Sequence, residues 1–370
     1  MKVLLISLSF ILLFSSCSKE SEKIVPILDL EDLIVDTLYL QKDTLTKNLG
    51  YDFTYFKTDS IEVLATFINH KLLVYSYPEG KVLVDQTFEK EGPNGIGSYI
   101  TGNLIDKESL YILSQQKELI QCDFNGKVLG RWDLPEVDAK RKYPNYGSYL
   151  FNRLQKYGDD LYFVDIPYVF QEGFEDYAKW GMVFDTKTYR FSHFNFLYPK
   201  TILKYTQDDQ LGLFSHVFNP QTKEHLIGFS ISDSIAVVKE GNQTWKWAGT
   251  SSTLTFKRGT TVPSGEYTIF QPNYESSKYE GMDIASQAGK LIRWVRLKGP
   301  SEEYPEREES RLLVFDENLK PEAELDFDAK KLSKFGFNLP TGYALNLYTE
   351  TTDDLVAYAV IDFSKINPSN

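Results

Sequence analysis

The chain has two cysteines in 370 residues, Cys17 and Cys122. No network of internal disulfides can hold it, and its stability has to come from burial. Histidine is scarce as well: His70, His193, His216 and His225 show no metal-ligand spacing, and the last two bracket a turn. There is no Gly-x-Ser-x-Gly elbow, glycine-rich phosphate loop or calcium-loop pattern, so nothing in the sequence asks for a cofactor or metal, and none is expected. Positive charge is in deficit, with 40 Lys and Arg against 52 Asp and Glu and a net charge of -12. Such a surface repels nucleic acid and anionic lipid. Helical periodicity is almost absent, and Glu31–Leu33 and Asp328–Lys334 offer short uncapped turns at most.

Long apolar runs are also missing, except at the start. Lys2 precedes an apolar stretch from Val3 to Phe14, and Ser15-Ser16-Cys17 then sets small residues before a cysteine. That stretch is shorter than the ~20 apolar residues that span a bilayer, so it targets the chain without remaining as a membrane helix. Residues 1–16 are expected to be a signal peptide. Leu13-Phe-Ser-Ser-Cys17 resembles the lipobox of bacterial lipoproteins, with Phe14 where that family usually has a smaller residue. The resemblance implies acylation of Cys17 and a membrane partner reached through that lipid. Residues 17–30 then read as a polar tether, and Ser18-Lys-Glu-Ser-Glu-Lys23 is similar to acid-containing tails that send envelope lipoproteins to the outer surface. The implied location is the outer membrane of the cell envelope.

What the remainder has is β-pattern. Aromatic residues make up 15% of the chain, and runs of four to eight residues rich in Val, Ile, Leu, Tyr and Phe alternate with Gly, Asp, Asn and Pro. One hairpin recurs. Lys71–Tyr75 turns at Pro78-Glu79-Gly80 into Lys81–Val84, and Leu119–Asp123 turns at Asn125-Gly126 into Lys127–Leu129. Met182–Asp185, Ile235–Val238 and Leu312–Asp316 begin three further copies, and Val356–Asp362 begins a sixth at the end of the chain. Each reads as the third and fourth strands of a four-stranded blade, the blades starting near Tyr51, Asn103, Leu150, Leu211, Met282 and Phe335. The sixth lacks its last strand, while Leu33–Leu40 is a strand without a blade. Pairing them closes the ring and leaves no open sheet edge at the junction. The expectation is an all-β, six-bladed β-propeller over residues 31–370, closed by the N-terminal strand. The lipobox, the hairpins and Glu91-Gly-Pro-Asn-Gly-Ile-Gly97 resemble the TolB-like six-bladed propeller lipoproteins of Gram-negative envelopes, which include families of unknown function.

Loop length points to a working face. The turns within hairpins are short, whereas Ile166–Lys179 and Gly299–Ser310, between second and third strands, and Pro135–Ser148 and Gly249–Lys278, between blades, are long. In a propeller these long connections share one face, and such a concentration marks a binding side. The loops carry Tyr143, Tyr146, Tyr149, Tyr168, Phe170, Phe174, Tyr177, Tyr267, Tyr274 and Tyr279. Exposed, these rings would stack on sugar faces or anchor a protein partner; folded over the blade tops, they would be core. Trp245 and Trp247 fall on one side of a strand and read as packing between blades. The acid pairs Asp159-Asp160, Asp208-Asp209 and Asp353-Asp354 read as turn chemistry. Two functions stay open: a non-enzymatic module binding a glycan or an envelope protein, and a carbohydrate-active hydrolase or lyase with acids meeting near the axis.

Overall fold

Short alternating segments can satisfy their backbone groups only by pairing sideways, and here they do so in successive sheets. The structure of the protein, a computed structural model, describes residues 25–366 except 43–48, 59, 108, 137–144, 148–150, 167–175, 206–207, 209 and 302–307. Strands β1 (Ile27–Asp29) and β2 (Ile34–Gln41) come first, joined by a 3-10 turn at Leu30–Leu33 that Asp29 caps. Blade one is β3 (Thr54–Lys57), β4 (Glu62–Ile68), β5 (Lys71–Ser76) and β6 (Val82–Thr87). Blade two is β7 (Ile100–Ile105), β8 (Leu110–Ser114), β9 (Glu118–Cys122) and β10 (Val128–Asp133). Blade three contains β11 (Tyr146–Gly147), β12 (Gln155–Tyr157), β13 (Asp160–Asp165), β14 (Gly181–Asp185) and β15 (Arg190–Phe194). Blade four is β16 (Phe214–Asn219), β17 (Glu224–Phe229), β18 (Ser234–Lys239) and β19 (Asn242–Trp247). A small hairpin, β20 (Thr260–Ser264) and β21 (Tyr267–Gln271), interrupts the way to blade five, which is β22 (Lys278–Ala285), β23 (Lys290–Lys298), β24 (Glu309–Phe315) and β25 (Pro321–Phe327). Blade six is β26 (Leu332–Leu339), β27 (Gly342–Leu347) and β28 (Leu355–Ile361), with β2 as its outer strand.

The six-bladed propeller expected from the hairpins is the fold found, including its closure. β2 runs antiparallel to β28 from Ile34 opposite Ile361 to Gln41 opposite Leu355, and Leu38 and Leu40 are buried between blades six and one. The closing strand is clamped onto blade one, where Gln41 N donates to Gly80 O at 3.0 Å. Gly80 has φ 66°, and a Cβ there would run into the Tyr39 carbonyl, so the turn requires glycine.

The core is a ring of apolar clusters between blades. Leu113, Phe163, Phe184 and Phe229 join blades two to four; Val217 and Val295 join four to five; Ile292 and Leu345 join five to six; Val63 and Ile112 join one to two. Cys122 is a buried free thiol in the last of these clusters.

Three expectations change. Ile27–Asp29, assigned to the tether, pairs in parallel with β25, and Glu324 N donates to Pro26 O at 3.0 Å. Three residues are too few to display a period. The segment 328–334 is a turn leading into β26, with no helix. Trp245 and Trp247 are only partly packed between blades: they stand 44% and 49% exposed on β19, the outermost strand of blade four among the described residues, with the Trp245 ring 5.9 Å from Phe229 on the side that faces blade three. The leader 1–16 and Cys17 lie outside the described residues.

Candidate functional site

Blade three has a broken inner strand. Tyr146 and Gly147 pair with Asp165 and Val164, while Gln155–Tyr157 pair with Tyr162, Leu161 and Asp160. Between them, Asn152 is caught by blade four, as is Gln155 at the start of the second piece. Asn152 Nδ2 donates to Phe214 O at 2.9 Å, Asn152 Oδ1 accepts from His216 N at 2.8 Å, and Gln155 Oε1 accepts from Phe218 N at 2.7 Å. These amide side chains replace ladder bonds that the backbone alone cannot reach.

From that clamp the chain reaches across the axis. The Phe151 ring packs on Phe335 at 4.7 Å and Trp294 at 5.7 Å between centroids, and a Cβ on Gly281 would overlap it. Arg153 Nη2 donates to Gly336 O at 2.6 Å and Tyr51 O at 3.3 Å; Nη1 lies 3.5 Å from Asp283 and Nε 3.7 Å from Asp52. One side chain from blade three therefore ties together blades five and six and the entry to blade one. Asp283 also accepts from Tyr343 Oη at 2.7 Å and from Ile284 N at 2.8 Å. Burial pushes its carboxyl up, and Arg153 and Tyr343 offset this only in part. Burial pushes the Tyr343 phenol well up, with Asp283 adding to it. Carboxylates do meet near the axis, but a guanidinium lies between them.

Between blades three and four, His216 Nε2 sits 3.0 Å from His225 Nδ1, and His225 stacks on Phe194 at 3.8 Å. Burial drives His225 down to about 4, and burial with His225 beside it drives His216 well down. Both rings are neutral packing groups at neutral pH. Among the described residues, no cluster of His, Cys, Asp or Glu has the make-up of a metal site.

A cleft of about 400 Å³ opens on the long-loop face between blades five and six. Glu280, Pro300, Glu308, Ala329, Lys330, Lys334, Phe335 and Tyr348 line it. Its floor is ionic. Glu280 Oε1 faces Lys278 Nζ at 3.4 Å and Oε2 faces Lys334 Nζ at 2.7 Å; Lys334 also pairs with Glu308, which accepts from Ser310 Oγ at 2.6 Å. Burial pushes the Glu280 carboxyl up, but Lys334, Lys278 and Arg296 outweigh it and hold the group below its usual range. The rings of Phe335 and Tyr348 form its apolar part, and Tyr348 is 41% exposed.

The rings named from the sequence do not gather at this cleft. Tyr146 lies against Phe163, Tyr177 against Trp180, and Tyr279 3.7 Å beneath the Arg293 guanidinium; all three are buried. Tyr146 stands on β11 and Tyr279 on β22, Tyr177 turns inward between strands, and all three rings pack as core. Tyr274 and Tyr267 are exposed, at 57% and 76%. Tyr143, Tyr149, Tyr168, Phe170 and Phe174 lie outside the described residues. Sequence reasoning passed over Arg153, Asp283, Glu280 and Lys334. The available signal was Lys278 and Glu280, two charges on one side of a strand otherwise buried on both faces.

No curated protein matches the chain. A solved structure of a DUF4221 family member from Bacteroides vulgatus superposes with a TM-score of 0.73 at 12% identity, covering 89% of this chain and 97% of that one. A candidate exported protein from Bacteroides fragilis superposes at 0.54 with 11% identity, covering 91% and 99%. These identities speak for the fold alone. The family model that describes a domain of unknown function, DUF4221, matches residues 28–326, and the chain belongs to that family.

Proposed function

We propose that this propeller is a TolB-like envelope lipoprotein, held to the outer membrane through Cys17, that binds a glycan in the cleft between blades five and six without altering it. The observation that carries the reading is the cleft itself. It lies on the face bearing the long loops, its volume of about 400 Å³ suits one or two sugar rings, and it combines an ionic floor with two aromatic walls. Rings offer sugar C–H faces a stacking surface, and the charged groups bond hydroxyls. A flat protein partner would leave so narrow a recess empty.

The hydrolytic alternative draws less support. A glycosidase needs a carboxyl that keeps its proton at working pH beside a second, ionised one. Glu280 is held ionised by three cations, and Glu308 shares one of them. Asp283, whose pKa is raised, is bonded to Tyr343 and Arg153.

The test is a glycan array with the chain from Ser18 onward, comparing wild type with Tyr348→Ala and Lys330→Ala. Binding that falls at least tenfold in both variants, with the glycan recovered unchanged, supports the reading. Binding indifferent to both substitutions, or cleavage of the glycan, refutes it.

A further inference from the structure

The N-terminal chain meets the propeller at its rim and at neither face. β1 is the fifth and outermost strand of blade five, beyond β25. The nine residues 17–25 reach at most about 30 Å when fully extended. A lipid on Cys17, which rests on the anchor reading above, therefore holds that rim close to the bilayer.

The surface beside β1 suits an interface. On β19 it is Lys246 that turns toward blade five, where it reaches Asn318 O at 3.5 Å in the turn that leads into β25, while Trp245 and Trp247 alternate to the side of blade three, Trp245 lying 5.9 Å from Phe229. On the other side, β2 exposes Val35 and Tyr39, and β1 itself exposes Ile27 and Leu28. The far rim, on β6 and β10 of blades one and two, exposes the aliphatic Leu83, Val84 and Leu129 and, among the described residues, no comparably exposed Trp or Tyr. Trp and Tyr have an apolar body and one polar tip, which places them at the headgroup level of a membrane. Asp29, Glu31, Asp32 and Asp36 stand along the same rim, so it rests on a neutral surface and does not insert.

We infer that the propeller stands edge-on, with the rim of blades five and six against the bilayer that carries its anchor and both faces turned sideways. The cleft then opens along the membrane. Lys331, between the lining residues Lys330 and Lys334, pairs with Glu31 at 3.0 Å, which ties the cleft wall to the turn between β1 and β2.

The experiment uses the full acylated chain in phosphatidylcholine vesicles containing a nitroxide-headgroup lipid. A fluorophore is placed in turn at Leu28→Cys, Leu129→Cys, Tyr348→Cys and Lys187→Cys, which report the near rim, the far rim, the long-loop face and the short-turn face. Cys122 is 0% exposed and takes no label. Quenching severalfold stronger at position 28 than at 129, 348 and 187 is expected. Uniform quenching, or stronger quenching at 348 or 187, overturns the edge-on arrangement. Incorporation of labelled fatty acid, compared between wild type and Cys17→Ala, reports the anchor separately. Its absence from wild type overturns the anchor and the orientation together, whereas its presence with uniform quenching overturns the orientation alone.

Discussion

Replacing Arg153 by Met tests whether the axial tie is electrostatic or merely fills space. The substitution keeps most of the aliphatic stem but removes the donor to Gly336 O and Tyr51 O and the cation beside Asp283 and Asp52. Breaking a buried ion pair on one side costs about 3–5 kcal/mol. The Arg153 and Asp283 side chains keep 19% and 21% exposure, so solvent screening brings the expected loss to the lower end, about 3 kcal/mol. The loss depends on pH. A carboxyl whose folded pKa lies above its unfolded value stabilises the fold below the unfolded pKa, and that contribution disappears as pH rises through the folded value. Asp283 is already raised in the wild type, and losing Arg153 raises it further. The deficit of the variant is therefore largest at pH 7 and narrows as pH falls toward the carboxylate range. Urea unfolding followed by tryptophan fluorescence at pH 7 and pH 5 measures this, and Asp283→Asn in the Arg153→Met background should recover part of the loss at pH 7. Equal loss at both pH values with no recovery would show that Arg153 acts by packing and would refute the electrostatic account.

Leu40→Ala should cost about 3 kcal/mol, since Leu40 is fully buried in the closing strand, while Val35→Ala on the exposed side of β2 should stay within about 0.5 kcal/mol; similar losses would mean that β2 does not close the ring. His225 and His216 have folded pKa values below the unfolded 6.5. Their contribution is thus fully present above pH 6.5 and lost as pH falls toward about 4. His225→Phe should flatten the fall of the urea midpoint across that window, and an unchanged slope would remove the pair as its cause. Arg293 donates to Ala248 O, Phe229 O and Ser232 O at 2.7, 3.2 and 2.8 Å. Arg293→Met removes three buried bonds, though Phe229 O keeps the one from Ser232 N, an expected loss of about 3 kcal/mol, and a thermal melt within a degree or two of wild type would contradict it.

The hairpins were legible because what makes them is local. Asp123 accepts from Asn125 N and Lys127 N, Asp185 from Lys187 N and Thr188 N, and Asp316 from Asn318 N and Lys320 N. One acid at the end of a third strand caps the turn that follows, and it does so within four residues. The axial tie offers no such signature. Arg153 and its partners Asp283 and Gly336 are 130 and 183 residues apart, and only closure of the ring brings them together. The same holds for Glu280 and Lys334, which belong to different blades. Loop length located the face of the cleft but not its rings: Tyr146 and Tyr279 stand on strands β11 and β22, Tyr177 turns inward, and all three are core, because strands reach into the stretches that read as loops.

Closure also couples the start of the described chain to the cleft. A propeller completed by its own N-terminal strand must bring the preceding chain to the outer edge of the last blades, since the strand that closes a sheet is its outermost. Here β2 completes blade six and β1 extends blade five, so the entry point and the blade five–six junction coincide. Any recess at that junction sits closer to the start of the chain than an equivalent recess at the other junctions would. Had the C-terminal strand closed the ring, the N-terminal chain would have entered at the inner edge of blade one, near the axis and away from the outer edge of blade five. The position of the cleft relative to the entering chain thus follows from which terminus supplies the last strand. An insertion of flexible residues between Asp29 and Ile34 should therefore leave the ring closed while loosening the Glu31–Lys331 contact that ties the turn between β1 and β2 to the cleft wall.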